Sequence, residues 1–238
     1  MTVVFDLDGT TIFKGKKMTA DIASAILKLS KNRKVIFASA RPIRDMLPVL
    51  PEDFHEFTLI GGNGAFIKDQ GEITTTAFSE KEKNLIFKLI ESNNLNYMVD
   101  SSWDYSYQGD TNHPLYLGID PHKQAENKEL NALNPVVKAV LFTMDAGIIA
   151  TLKDENITVH YHGREHLIDL SPADISKWTA FNSLNLKDKL TMFGNDANDI
   201  PMFKQANQSF IIGDILDESI TGTRLSKDAV AQTILSLC

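Results

Sequence analysis

Short runs of apolar, β-branched and aromatic residues alternate along this chain with stretches whose apolar residues recur every three or four positions. Strands buried on both faces read as continuous apolar runs, and amphipathic helices read as a stripe with a 3.6-residue period. Val3-Val4-Phe5 therefore predicts a buried strand ending at Asp6, and Ile22, Ile26 and Leu29 predict a helix over 19–30. Val35-Ile36-Phe37-Ala38 predicts a second buried strand, and Leu59-Ile60 a third, which stops at Gly61-Gly62-Asn63-Gly64. The same texture returns after Leu170, with a helix carrying Trp178, Phe181 and Leu184 and a strand Leu190-Thr191-Met192-Phe193 that stops at Gly194-Asn195-Asp196. A helix near Pro201, a strand Phe210-Ile211-Ile212 and a helix with Val230, Ile234 and Leu235 complete the chain.

Between these two blocks, from about Gly71, the pattern changes. Ser79 and Glu82 have the spacing of a capping box, opening a helix with Leu85, Ile86, Leu89 and Ile90. Strands over 97–100, 138–143 and 158–162 alternate apolar with polar residues, which predicts a sheet with one wet face. Polar helical stretches are expected over 123–133 and 147–155. The fold class is α/β: a Rossmann-like parallel-sheet core built from 1–72 and 170–238, interrupted by an α+β insertion over 73–169.

Composition narrows the partners. The net charge is −7 with no cluster of Lys and Arg, which argues against nucleic acid. It leaves room for a phosphate substrate, which needs only a few positive groups and a metal. Cys238 is the single cysteine, so no internal disulfide forms, as suits a reducing compartment. No secretory leader and no bilayer-length apolar run is visible, so a cytoplasmic enzyme with no membrane partner is expected. The pattern sets no oligomeric state.

Four short elements carry the candidate chemistry, each at a predicted strand end or helix start, where open parallel sheets gather their ligands. In Asp6-Leu7-Asp8-Gly9-Thr10, two carboxylates two residues apart repel each other unless a cation or a proton intervenes. A metal, a nucleophilic carboxylate and a second acid/base are the equipment of phosphoryl transfer; an Asp-Gly turn is the plainer reading. In Phe37-Ala38-Ser39-Ala40-Arg41, the Ser39 hydroxyl can bond a phosphoryl oxygen or merely form a turn. Lys177 can neutralise developing charge, or lie on the surface as most lysines do. Gly194-Asn195-Asp196-Ala197-Asn198-Asp199 offers oxygens to a hard cation such as Mg²⁺, or caps for the next helix. Gly61-Gly62-Asn63-Gly64 can present backbone N–H groups to phosphate or form a hairpin.

In this order, these elements resemble the four motifs of the haloacid dehalogenase superfamily, and the insertion looks like the α+β cap of its Cof-type subfamily. The resemblance implies a phosphatase for a small phosphorylated metabolite, such as a sugar phosphate. It implies Asp6 as nucleophile, Asp8 as acid/base, Ser39 as the phosphate-binding hydroxyl and Lys177 as the charge-balancing lysine. Asp6, the Asp8 carbonyl, Asn195 and Asp199 would form or support the Mg²⁺ site, and Gly9, Asn63 and Asn198 the phosphate pocket. A sugar phosphomutase and a catalytically silent phosphometabolite binder are alternatives; the retention of both Asp6 and Asp8 counts against the binder. Three positions depart from the family pattern: Ala40 and Trp178 stand where Gly is frequent, and Asn195 where an Asp is usual. The last implies weaker metal affinity without loss of activity. The insertion offers Trp103, Tyr105, Tyr107, His113, His160, His162 and Arg164 as contacts for the leaving group, with Arg164 suited to a carboxylate or second phosphate.

Overall fold

Val3, Val4 and Phe5 are wholly buried and form β1 (Thr2–Asp6). A computed structural model describes residues 1–163 and 165–238. After β1 the chain forms α1 (Ala20–Ser30), β2 (Lys34–Ala38), α2 (Ile43–Met46), β3 (Thr58–Gly61), β4 (Phe66–Asp69) and β5 (Glu72–Thr75). The middle block contributes α3 (Glu80–Asn93), β6 (Tyr97–Asp100), β7 (Tyr105–Gln108), α4 (Pro114–Leu117), β8 (Lys138–Leu141), α5 (Ala146–Lys153), β9 (Ile157–His162) and β10 (Leu167–Pro172). The last stretch holds α6 (Lys177–Ser183), β11 (Leu190–Gly194), α7 (Ile200–Phe203), β12 (Gln208–Ile212), β13 (Thr223–Leu225) and α8 (Val230–Leu235).

Two compact units result, one of Met1–Ile73 with Ser176–Cys238 and the other of Thr74–Ile175. The sheet of the first runs β13-β12-β11-β1-β2-β3-β4-β5. Its strands from β13 to β3 are parallel, while β4 returns antiparallel to β3, which adds an edge that the apolar runs did not announce. β1 is central, flanked by β2 and β11, with Asp6 opposite Ala38 and Phe5 opposite Phe193. Phe5, Phe193 and Phe210 stack across three strands, with ring centroids 4.8 and 4.5 Å apart. Each such side chain stabilises the sheet by roughly 1.5–3 kcal/mol through burial. α1 buries the expected stripe of Ile22, Ile26 and Leu29, with Ala25 completing it. This packing fixes the carboxyl ends of β1, β2, β3 and β11, where the candidate motifs lie.

The second unit is a five-stranded antiparallel sheet, β7-β6-β8-β10-β9. Ile86, Phe87 and Ile90 of α3 and Ile148 and Leu152 of α5 join Val99, Ala139, Leu141, Ile168 and Leu170 in one core. The predicted capping box is present: Ser79 Oγ accepts from the Glu82 N–H at 3.3 Å, and Glu82 Oε2 accepts from the Ser79 N–H at 2.7 Å. Replacing Ser79 with Ala is expected to destabilise the protein by about 1 kcal/mol, read as an earlier urea midpoint with activity unaltered.

Three expectations change. The stretch 123–133 is not a helix; it runs beside β7, exchanging backbone bonds with Tyr105, and holds only a single tight turn at Leu130–Ala132. With Leu130 and Leu133 as its buried anchors it lacks a helical stripe, and the Asp120 carboxylate accepts from the Gln124 and Ala125 N–H groups instead. The second sheet has no simple wet face, because Asp100, Lys138 and Asp169 are all buried and Lys138 pairs with Asp169. Finally, the second unit extends to Ile175 rather than ending at 169, since β10 pairs with β8 and β9.

Candidate active site

The loop after β1 is folded tightly: the N–H groups of Thr10, Thr11 and Ile12 all donate to the Leu7 carbonyl, at 3.1, 2.9 and 2.8 Å. Gly9 has φ +84°, and a Cβ there would lie 2.2 Å from the Asn195 amide, so both backbone and space demand glycine. Thr11 Oγ1 donates to the Asp6 carbonyl at 2.8 Å, and Thr10 Oγ1 to Asp6 Oδ2 at 3.0 Å. The loop thereby aims the Asp6 carboxylate, which is itself only 5% exposed.

Lys177 opens α6 and is wholly buried. Its Nζ donates to Asp6 Oδ1 at 2.6 Å and Asp199 Oδ1 at 2.7 Å, with Asn198 Oδ1 at 3.5 Å. The other oxygen of Asp199 accepts from the N–H groups of Asn195 and Asp196, at 2.9 and 3.2 Å. Both Asp199 oxygens are thus engaged, and this residue supports the site through Lys177 and the loop.

Burial pushes Asp6 up to about 7; Lys177 opposes the rise and the neighbouring Asp199 adds to it. Burial alone would lower Lys177, but Asp199 and Asp6 outweigh it and hold the ammonium above its ordinary range. With both carboxylates ionised, one ammonium leaves one excess negative charge in a buried space, which a proton on Asp6 or a further cation would offset.

The remaining candidates close a continuous network. Asn198 Nδ2 donates to Asn63 Oδ1 at 3.0 Å, and the Asn63 N–H to the Ser39 carbonyl at 3.0 Å. Asn63 is buried with φ +58°, a left-handed conformation that Asn tolerates. Ser39 Oγ accepts from the Arg41 N–H at 3.1 Å, and the Arg41 guanidinium grips Asp8 with two bonds of 2.6 and 2.8 Å. Arg41 was not among the sequence-derived site residues. Its position at the end of the second motif, two residues beyond Ser39, was the available signal.

The donor set fits a hard divalent ion. Asp6 Oδ2 and the Asp8 carbonyl both lie within about hydrogen-bond length of the Asn195 amide, at 3.1 and 3.0 Å. Among the described residues, no three or more His, Cys, Asp or Glu side chains form a metal cluster. An ion here would rely on a carbonyl and an amide besides the one carboxylate.

Several insertion residues hold structural positions within the second unit. Tyr105 is buried in its core, Tyr107 donates to the Asp110 carbonyl at 2.8 Å, and His113 Nδ1 accepts from the Leu115 N–H at 3.2 Å. Trp103 Nε1 donates to the Gln124 carbonyl at 2.8 Å. His160 and His162 lie on β9, opposite Asp169 and Leu167 of β10. Arg164 lies outside the described residues. No helix among the described residues is long and apolar enough to cross a membrane.

A family profile described as haloacid dehalogenase-like hydrolase matches residues 3–221. No curated protein matches the chain. Among solved structures, a haloacid dehalogenase-like hydrolase from Bacteroides thetaiotaomicron is 17% identical with a TM-score of 0.80, covering 100% of this chain and 99% of that one. A haloacid dehalogenase-like hydrolase from B. subtilis is 19% identical with a TM-score of 0.78 and the same coverage of both chains. A subclass IIB sugar phosphatase is 14% identical with a TM-score of 0.78, again over 100% and 99%. At these identities the likeness speaks for the fold.

Proposed function

The chain belongs to the haloacid dehalogenase-like hydrolases, and from that premise we propose that it is a Mg²⁺-dependent phosphatase of a small phosphomonoester, a sugar phosphate or similar metabolite. The observation that carries this reading is the buried Asp6 carboxylate at the end of β1, held by Lys177 and Thr10 within one network of candidate residues.

In this reading the Asp6 carboxylate attacks phosphorus, the ester P–O bond breaks, and Asp8 gives its proton to the leaving oxygen. Asp8 then takes a proton from water as that water attacks the phosphoryl group on Asp6, releasing phosphate and restoring the carboxylate. The Ser39 hydroxyl, the Asn63 and Asn198 amides and the Gly9 backbone line the phosphate pocket. Lys177 keeps the nucleophile oriented and balances its charge. Asp6, the Asp8 carbonyl and Asn195 would hold Mg²⁺, which supplies charge neutralisation at the phosphoryl oxygens. The 74–175 unit selects the leaving group, with Arg164 and the β9 histidines as candidate contacts. The nearness in fold to a sugar phosphatase supports the substrate class.

A screen of phosphorylated metabolites with Mg²⁺, reading free phosphate without a bisphosphate activator, tests the proposal. No release from any sugar phosphate or related monoester would refute it; release only with the activator would favour a mutase. The grip of Arg41 on both Asp8 oxygens makes Arg41 a positioning residue. Arg41→Ala is expected to lower kcat about a hundredfold, the scale of a misplaced catalytic group, with KM little changed. Arg41→Lys should recover only part of this, because an ammonium cannot make the paired contact. A kcat within twofold of the parent's in Arg41→Ala would remove Arg41 from this role.

A further inference from the structure

We propose that the Asn195 side-chain nitrogen holds the cation's place in the metal-free protein, so that a divalent ion enters only as the amide turns over. The inference rests on the proposed function only for the location of the ion, and goes beyond reading Asn195 as a weak ligand.

Three oxygens surround one end of the Asn195 amide: Asp6 Oδ2 at 3.1 Å, the Asp8 carbonyl at 3.0 Å and Thr10 Oγ1 at 3.1 Å. The carboxylate and the carbonyl only accept hydrogen bonds. An amide oxygen at that end would face them both and find a single donor, the Thr10 hydroxyl, which already has Asp6 Oδ2 at 3.0 Å. The amide nitrogen instead donates to all three, with Thr10 accepting from it and donating to Asp6. Complementarity of donors and acceptors decides between the two ends of an amide, and here it puts nitrogen inward.

Distances of 3.0–3.1 Å suit N–H···O bonds. Charge agrees. Asp6, Asp199 and Lys177 leave one excess negative charge among buried groups, and the positive end of an amide dipole partly offsets it. An Asp at 195 has no proton to donate; it would set a second carboxylate about 3 Å from Asp6, within hydrogen-bond range. Asn195 thus keeps the nucleophile and the Asp8 carbonyl aligned without metal, in exchange for competing with the ion.

The test uses the ¹⁵N-labelled full chain, with the Asn195 side-chain amide pair identified by its disappearance in Asn195→Asp. In EDTA, its exchange with water is expected to be at least about tenfold slower than that of the exposed Asn94, the factor for one hydrogen bond of ordinary strength. Saturating Mg²⁺, with saturation set by calorimetry, should shift the pair and speed its exchange. Mn²⁺ followed by electron paramagnetic resonance should bind Asn195→Asp at least about tenfold tighter, the gain from one added charge in a partly dry site. Exchange as fast as that of Asn94 in EDTA overturns the proposal. So does a pair unmoved by saturating Mg²⁺, an absence of Mg²⁺ binding, or unchanged Mn²⁺ affinity in Asn195→Asp. No step uses a phosphorylated substrate. A protected, Mg²⁺-responsive amide in a chain without phosphatase activity therefore refutes the proposed function alone, and an unprotected amide in an active enzyme refutes this inference alone.

Discussion

Asp6→Asn is expected to reduce phosphate release by a factor of 10³ or more, the scale on which removing a nucleophile acts, while the melting temperature in metal-free buffer holds or rises. The two halves of this result have one cause. Asp6 is buried beside Asp199, and its raised pKa of about 7 records the cost of keeping it charged. An amide of the same shape still accepts from Lys177 through its oxygen, with the Thr10 hydroxyl turned to accept from its nitrogen, but brings no charge, so the folded state loses a strained ion along with the proposed attacking oxygen. Phosphate release at the parent rate would overturn the mechanism, because Asp199, the other carboxylate bound to Lys177, is wholly buried and turned to the loop N–H groups of Asn195 and Asp196. A large fall in melting temperature would show instead that the Asp6 charge holds the fold.

Lys177→Met should be the most destabilising change in the site, by about 3–5 kcal/mol, the cost of stranding buried charge when one partner of a buried pair is removed. The Lys177 side chain is 0% exposed and its two carboxylate partners 7% and 0%, so solvent cannot take over its role. In a protein of this size the loss amounts to a fall in melting temperature of roughly ten degrees.

The deficit also depends on pH. A carboxylate whose folded pKa is raised stabilises the fold fully below its unfolded value, here 3.8, and loses that contribution as pH rises through the folded value of about 7. Without the ammonium the folded value moves higher still. In EDTA the gap between variant and parent should therefore widen as pH rises above about 7, where the parent has already lost this contribution and the variant goes on losing it. Equal melting temperatures across that window would show that the two carboxylates are not held charged against Lys177.

Much of the core was legible because its signals are local. The apolar runs at Val3, Val35 and Leu190 mark strands that are buried on both faces, and helical spacing marks α1 to within a residue. The capping box at Ser79 fixed the start of α3 for the same reason, since its partners lie three residues apart. The 123–133 stretch misled because a polar segment anchored by two leucines satisfies its backbone as well beside a strand as in a helix. The alternation in β8 and β10 likewise suggested a wet face, yet Lys138 and Asp169 are buried and neutralise each other across the sheet.

The sequence by itself determined the order of elements, the α/β class and the residue types gathered at the strand ends, because periodicity and motif spacing act over a few residues. The tertiary structure alone decided which charges meet. Lys177 lies between Asp6 and Asp199 across 171 positions of chain, Arg41 closes on Asp8 from 33 positions away, and the Asn195 amide comes within 3.1 Å of Asp6 and 3.0 Å of the Asp8 carbonyl. The strength of such contacts depends on distance and on exclusion of water, and both are set only when the core has packed.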